Sequence, residues 1–348
     1  MGRDMLYPLK FQPRLLEKMW GGRKMEALLG KRLPPDKPIG ESWELYDFPP
    51  GVIDQSGEWV SSVVANGPLA GRTLHELIQD FGKALHGDVP LIGPEGQFPI
   101  LIKFLDAREN LSVQVHPDAA YAAANPGTYL KTEAWYIIDA DSGSIIYKGL
   151  KPGVDRARLR HALATDGVEE LLNTIPAKAG HHVFLPSGTV HALGAGILLA
   201  EIQTPSDTTF RLFDFNRIDP ATGQGRKLHI AEALDCIDFE PQREPPQRRD
   251  HVAGLFTTVS RLVTCPYFKL EKVRFTEGVE EPVPYDEPVV WIMLEGRARI
   301  TVDRVKEAVT LAKGETILLP AQMQNPVIKT ELDCIWLEVT FATKGEVR

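Results

Sequence analysis

The sequence predicts a mainly β protein built from two related β-barrels, and three observations carry this. The 27 prolines and 29 glycines are spread along the 348 residues and punctuate many short apolar segments, the pattern of a β core with tight turns. Several of those segments are β-branched and apolar on both faces, which puts them between two sheets. One scheme also recurs: Gly180…Leu185-Pro186-Ser187 and Gly314…Leu319-Pro320-Ala321 each give a turn glycine, a short apolar strand, Leu-Pro and a small residue. His191 follows the first copy. No histidine occurs after His251, so any metal site belongs to the first barrel.

Taken in order, residues 14–29 have apolar positions at helical spacing and predict a helix, within an insertion over about 10–30. Residues 72–86 do the same, with Thr73 as N-cap and Glu76 three residues on. Strands are expected at 99–106 and 111–115, then a helical turn after Pro117, then strands at 134–138 and 144–148. Residues 153–175 predict two short helices broken at Gly167, an excursion from the first barrel. Strands follow at 182–185 and 197–203. The polar stretch "EPQREPPQRRDH", 240–251, is the best boundary, dividing the chain into 1–245 and 246–348. Beyond it strands are expected at 268–275, 289–294, 298–302, 309–311, 316–319 and 334–339.

The net charge of −8 argues against a nucleic-acid binder, which needs an excess of Lys and Arg on one surface. A small anionic ligand needs only a few local cations and stays open. Cys236, Cys265 and Cys334 form no CxxC pair and suggest no disulfide framework. The first twenty residues lack the apolar run of a signal peptide, and no stretch reaches the ~18 apolar residues of a membrane span. The expectation is a reduced, cytoplasmic, soluble protein with no membrane partner.

In "LSVQVHP", Ser112, Gln114 and His116 share one strand face. A solvated edge produces that pattern, and so does a metal site. Glu133 opens the next strand, and His191 follows "PSGTV" at a turn into another. An amide oxygen, two imidazoles and a carboxylate suit Zn²⁺, and Mn²⁺, Fe²⁺ or Co²⁺ less selectively. His181-His182 competes, but strand neighbours face opposite ways, and both read as structural or surface residues. Lys131, two before Glu133, shares its face if the strand begins early enough. Lys103 inside "FPILIKFLD" either lines a cavity with a partner or snorkels from a barrel rim. Arg211 and Arg217 in "TTFRLFDFNR" have salt bridges with Asp207, Asp214 or Asp219 as their structural alternative. Glu41, Ser42, Trp43 and Glu44 cluster in "IGESWELYD".

Together "IGESWE", "LSVQVHP", "KTEAWYII" and "PSGTVHALGAGILLAEIQTPSDTTFRLFDFNR", spanning roughly residues 39–217, resemble type I mannose-6-phosphate isomerase in its shorter bacterial form. The resemblance implies a cupin-type fold: two jelly-roll β-barrels with helical insertions, the C-terminal one metal-free. It implies one Zn²⁺ per chain held by Gln114, His116, Glu133 and His191. It also implies interconversion of mannose 6-phosphate and fructose 6-phosphate through a cis-enediol. Lys131, Asp207 and Arg211 match catalytic positions, with Lys131 favoured as base and Asp207 assisting. Ser112, Lys103 and Arg217 match substrate or phosphate contacts, although "RLFDFNR" replaces a Gly-containing loop of longer members. The sugar phosphate is the expected partner, and both a monomer and a homodimer fit. The competing readings are a non-catalytic cupin that binds a sugar phosphate, and a cupin isomerase or dioxygenase using another metal.

Overall fold

The computed structural model describes residues 6–53, 57–93, 95–165, 167–218, 223–240 and 251–341. The first barrel has a six-stranded sheet in the order His182–Leu185, Glu133–Ala140, Ile197–Gln203, Leu101–Ala107, Arg14–Gly22 and Ile39–Leu45. Its second sheet runs Leu172–Pro176, Ile145–Leu150, His191–Leu193, Val113–Val115 and Phe210–Phe213. The second barrel pairs a seven-stranded sheet, which includes Thr316–Leu319, Val289–Glu295, Cys334–Phe341 and Phe268–Phe275, with a four-stranded one. The fold is the expected mainly β, cupin-like one.

Alternation explains why these strands are apolar on both faces. Successive side chains point to opposite sides of a sheet. Leu105, Trp135, Ile137, Ile197 and Leu199 point into the first barrel, where they meet Ile146 and Leu193. Ile102, Phe104, Ala134, Tyr136, Leu198, Ala200 and Ile202 point outward and pack with Val290, Ile292, Leu318, Leu337 and Val339 of the second barrel. The two barrels therefore share a core. Leu74–Phe81 and Lys83–His86 cover it with Leu74, Leu77, Ile78, Phe81 and Leu85. The first of these helices starts as expected. Thr73 Oγ1 accepts from Glu76 N at 3.2 Å, and Thr73 N donates to Glu76 Oε2 at 2.8 Å.

Two helical expectations fail. Arg14–Gly22 is a strand, and only Lys24–Leu29 is helical. The strand pairs with Ile39–Leu45 through register shifts at Leu16/Glu17 and Glu17/Gly22. Those irregularities break the alternation of apolar residues and leave a spacing that imitates a helix. Within 153–175, Arg156–Ala164 is a helix capped by Asp155, but Glu169–Leu171 is a single 3₁₀ turn and Leu172–Pro176 is a strand against Ile145–Leu150. The helical turn after Pro117 is Ala119–Ala124, and a further helix, Ile230–Cys236, was not expected. Residues 241–250, where the boundary is expected, lie outside the described residues. Leu9–Lys10 pairs with Leu318 and Ile317 of the second barrel, and Lys10 Nζ lies 2.8 Å from Glu315.

The internal repeat reaches deeper than the turns. Trp135 stands opposite Glu201 and donates its Nε1–H to Glu201 Oε2 at 2.8 Å. Trp291 stands opposite Glu338 and donates in the same way at 2.9 Å. On the other flank of the carboxylate the barrels differ: Lys103 faces Glu201, whereas Glu271 faces Glu338. No helix among the described residues is long and apolar enough to cross a membrane.

Candidate active site and metal centre

The three residues of Val113–Val115 divide between two environments. Val113 and Val115 are buried in an outer core with Tyr147 and Leu212, which turns Gln114 to the opposite face, into the barrel. Gln114 is flanked by His191 on one neighbouring strand and Arg211 on the other. Glu133 opens its strand opposite Leu185 and Gln203. His116, just past the short strand, completes the group: His116, Glu133 and His191 are buried, and one ligand atom from each lies within 4.8 Å of the others. His116 Nε2 is 3.3 Å from Glu133 Oε1, and His191 Nε2 is 3.5 Å from Oε2.

The tautomers follow from the outer contacts. His116 Nδ1 lies 3.0 Å from Thr208 O and His191 Nδ1 lies 2.9 Å from Thr189 O. A carbonyl only accepts, so each Nδ1 carries the proton and each Nε2 turns a lone pair inward. Burial, joined by the nearby Lys131 charge, holds His116 down at about 3, and burial lowers His191 as well. Burial alone would raise Glu133, but Lys131 and His116 outweigh it and hold the carboxyl well below its usual range. The set is two neutral imidazoles and a carboxylate.

His116 Nε2 and both Glu133 oxygens are buried and make no hydrogen bond of acceptable geometry, even though Lys131 Nζ stands 2.8 Å from Oε1 as an ion pair. Each such buried group costs about 1–3 kcal/mol if nothing engages it. A cation seated among them satisfies all three, so these residues fit a metal ion. Gln114 adjoins the group, its amide nitrogen 3.3 Å from His191 Nε2, and its Oε1 accepts from the buried Ser112 Oγ at 3.3 Å.

Lys103 lines the interior; it does not snorkel. Its Nζ is 3.6 Å from Glu41 Oε2, 3.5 Å from Glu201 Oε1 and 5.0 Å from the Trp43 ring centroid. Burial pulls its pKa down, but Glu41 and Glu201 more than offset this, so the ammonium is firmly charged. Glu41 sits at about 2: burial would raise it, but Lys103, Lys18 and the Trp43 N–H prevail. Ser42 and Glu44 face the other way, where Lys31 pairs with Glu44 at 2.7 Å. Glu201 behaves oppositely to Glu41. Burial and the neighbouring Glu133 charge push it up to about 7 against the pull of Lys103. Sequence reasoning passed over Glu201, although a lone acid in the apolar "ILLAEIQ" is the same signal that singled out Lys103.

Arg211 is half-buried, its Nε without a hydrogen-bond partner, and its pKa is lowered by burial and by the nearby Arg226. Asp207 is exposed but close enough for its charge to act on both Arg211 and Lys103. Arg217 takes the structural alternative and binds Asp214 and the Asn110 carbonyl. Asp219 lies outside the described residues. His181 and His182 stay apart from the cluster and line a cavity of about 550 Å³ with Lys148. A cavity of about 790 Å³ opens at the other end of the barrel, lined by Gly21, Asn110, Asp141 and Gly196.

Two cupin-like barrels, one holding a buried His/Glu/His cluster among paired charges, define a bicupin with a single candidate metal centre among the described residues. Comparison with known proteins narrows the class. A family model, the phosphomannose isomerase type I catalytic domain, matches residues 8–143. A mannose-6-phosphate isomerase of Streptococcus mutans serotype c is 36% identical over 95% of this chain and 98% of its own length. The Bacillus subtilis mannose-6-phosphate isomerase ManA is 34% identical over 94% and 98%. The crystal structure of a Bacillus subtilis mannose 6-phosphate isomerase superposes with a TM-score of 0.83 at 31% identity, covering 96% of this chain and all of that one. The chain belongs to the type I phosphomannose isomerase family, a family of aldose–ketose isomerases.

Proposed function

We propose that the chain interconverts mannose 6-phosphate and fructose 6-phosphate through a cis-enediol, with one Zn²⁺ held by Gln114, His116, Glu133 and His191. The observation that carries this is the set of unengaged, inward-facing acceptors of His116 and Glu133, in a chain whose relatives bear that activity in their names. A two-nitrogen, two-oxygen donor set of this kind suits zinc. When bound, the ion supplies positive charge and Lewis acidity toward the sugar oxygens.

The protein's own residues do the rest. A proton must leave one carbon and return to its neighbour, so its carrier must exist in both forms near neutrality. Glu201, its pKa raised by burial and its carboxyl fixed through Oε2 by Trp135, is suited to hold that proton. Lys131, the base expected from the resemblance, is ion-paired to Glu133, which suits it to steady developing negative charge, together with Lys103. Exposed Asp207 and half-buried Arg211 contact the substrate in this reading, and Ser112 orients Gln114. Residues 1–245 form the catalytic unit in this reading, and 246–348 a structural barrel. The three free thiols fit the reducing cytoplasm.

The test is turnover of fructose 6-phosphate by the purified protein before and after chelation. Activity is expected to vanish on chelation and return with Zn²⁺. Absence of turnover by the zinc-loaded protein would overturn the proposal.

A further inference from the structure

We propose that Arg226 is the second arm of the phosphate cradle, paired with Arg211 beside Gln114, and that it confers selectivity for phosphorylated over plain sugars. This rests on the sugar-phosphate reading above. Arg211 faces into the barrel beside Gln114, and its Nε is buried without a partner. The chain returns alongside it: His229 N donates to Arg211 O at 2.8 Å, and Arg211 N donates to His229 Nδ1 at 3.3 Å. That return sets the segment of Arg226 alongside that of Arg211, with Arg226 bound to Asp214 three residues past Arg211. Two guanidinium groups close together repel, and a bound dianion turns that cost into affinity.

Asp214 holds Arg226 in place, accepting from Nε at 2.8 Å and from Nη2 at 2.5 Å. Nη1 makes no bond to Asp214. Arg217 binds the same carboxylate but also the Asn110 carbonyl, at the end of Val113–Val115 away from His116. Arg211, Arg217 and Arg226 against the carboxylates of Asp214 and the nearby Asp207 leave a net positive charge, which draws a phosphate group.

The experiment uses the zinc-loaded protein and inorganic phosphate as probe, measured as a competitive inhibitor and by thermal shift. R226Q is expected to weaken phosphate binding and raise KM about tenfold or more, with kcat within about threefold of wild type. K227Q removes the exposed neighbouring charge and is expected to change phosphate binding less than about twofold. R226K keeps the charge but lacks the fork, and is expected to fall between the two. It also covers the case in which R226Q does not fold. Wild-type phosphate binding in R226Q or R226K, or equal losses in K227Q and R226Q, would exclude Arg226 from the cradle. Failure of the wild type to isomerise mannose 6-phosphate, with phosphate binding still lost in R226Q, would sink the substrate reading and spare the cradle.

Discussion

Glu201 and Glu338 occupy matching positions, each bound to a tryptophan N–H, and their surroundings separate them. Glu201 lies between Lys103 and the Glu133 charge. Glu338 instead accepts from Tyr285 OH at 2.6 Å and faces Glu271, and burial raises its pKa. A proton-carrying role for Glu201 makes E201Q lose about a hundredfold or more in kcat while it keeps its zinc. Steady-state rates and metal analysis check this, and a kcat within threefold of wild type would return the role to Lys131. The proposed metal ligands carry a second prediction. Metal binding usually releases protons from its ligands. Here His116 is already neutral above about 3 and Glu133 is already ionised, so zinc uptake at pH 7 should release less than one proton. Calorimetry in two buffers of different ionisation enthalpy measures it. Release of two protons would mean that the imidazoles are charged before zinc arrives.

At the scale of elements, the capping box on Leu74–Phe81 gives a direct test. Thr73→Ala removes the acceptor for Glu76 N and should cost about 1 kcal/mol in urea unfolding. Gly21→Ala should cost more, because a Cβ there would stand 2.5 Å from the Gly40 backbone nitrogen and 2.6 Å from the Ile39 backbone carbon, neither of which is the movable end of a side chain. The strands that sequence reasoning located to the residue, His182–Leu185, Ile197–Gln203, Phe268–Phe275 and Thr316–Leu319, are short apolar or alternating runs, two of them buried throughout. Several of those it missed or misread lie at edges or carry bulges. Thr257–Thr264 is half-exposed with little apolar contrast, and Arg14–Gly22 shifts register twice. His116, Glu133 and His191 were legible through the resemblance, because residue types and the i, i+2 spacing alone fit a solvated edge as well. Glu41 and Glu201 were not, because their meaning comes from Lys103, which reaches both only once three strands are side by side.

Over the whole molecule, the shared core makes the barrels interdependent. Residues 1–245 alone would expose Ile102, Phe104, Tyr136, Leu198 and Ile202, so that fragment should aggregate while the full chain unfolds in one thermal transition. A monodisperse folded fragment on size exclusion would refute this. Acid tests the charge network. Glu41 drops from 4.5 to about 2 on folding, so the native state binds that proton less tightly. Its contribution, about 3 kcal/mol, is complete above pH 4.5 and lost as pH falls toward 2. The stability gap between wild type and E41Q should therefore narrow from pH 5 to pH 2.5, and a constant gap would assign the effect to packing. The pairing of Leu9–Lys10 with Thr316–Leu319 carries a consequence of another kind. Lys10 and Glu315 are 305 residues apart in the chain. A ribosome adding ~5–20 residues per second makes the first strand roughly 15–60 s before the edge it closes. Throughout that interval the first barrel exists without its neighbour, its outward apolar face open to any chaperone, and synthesis time becomes part of how this enzyme is made.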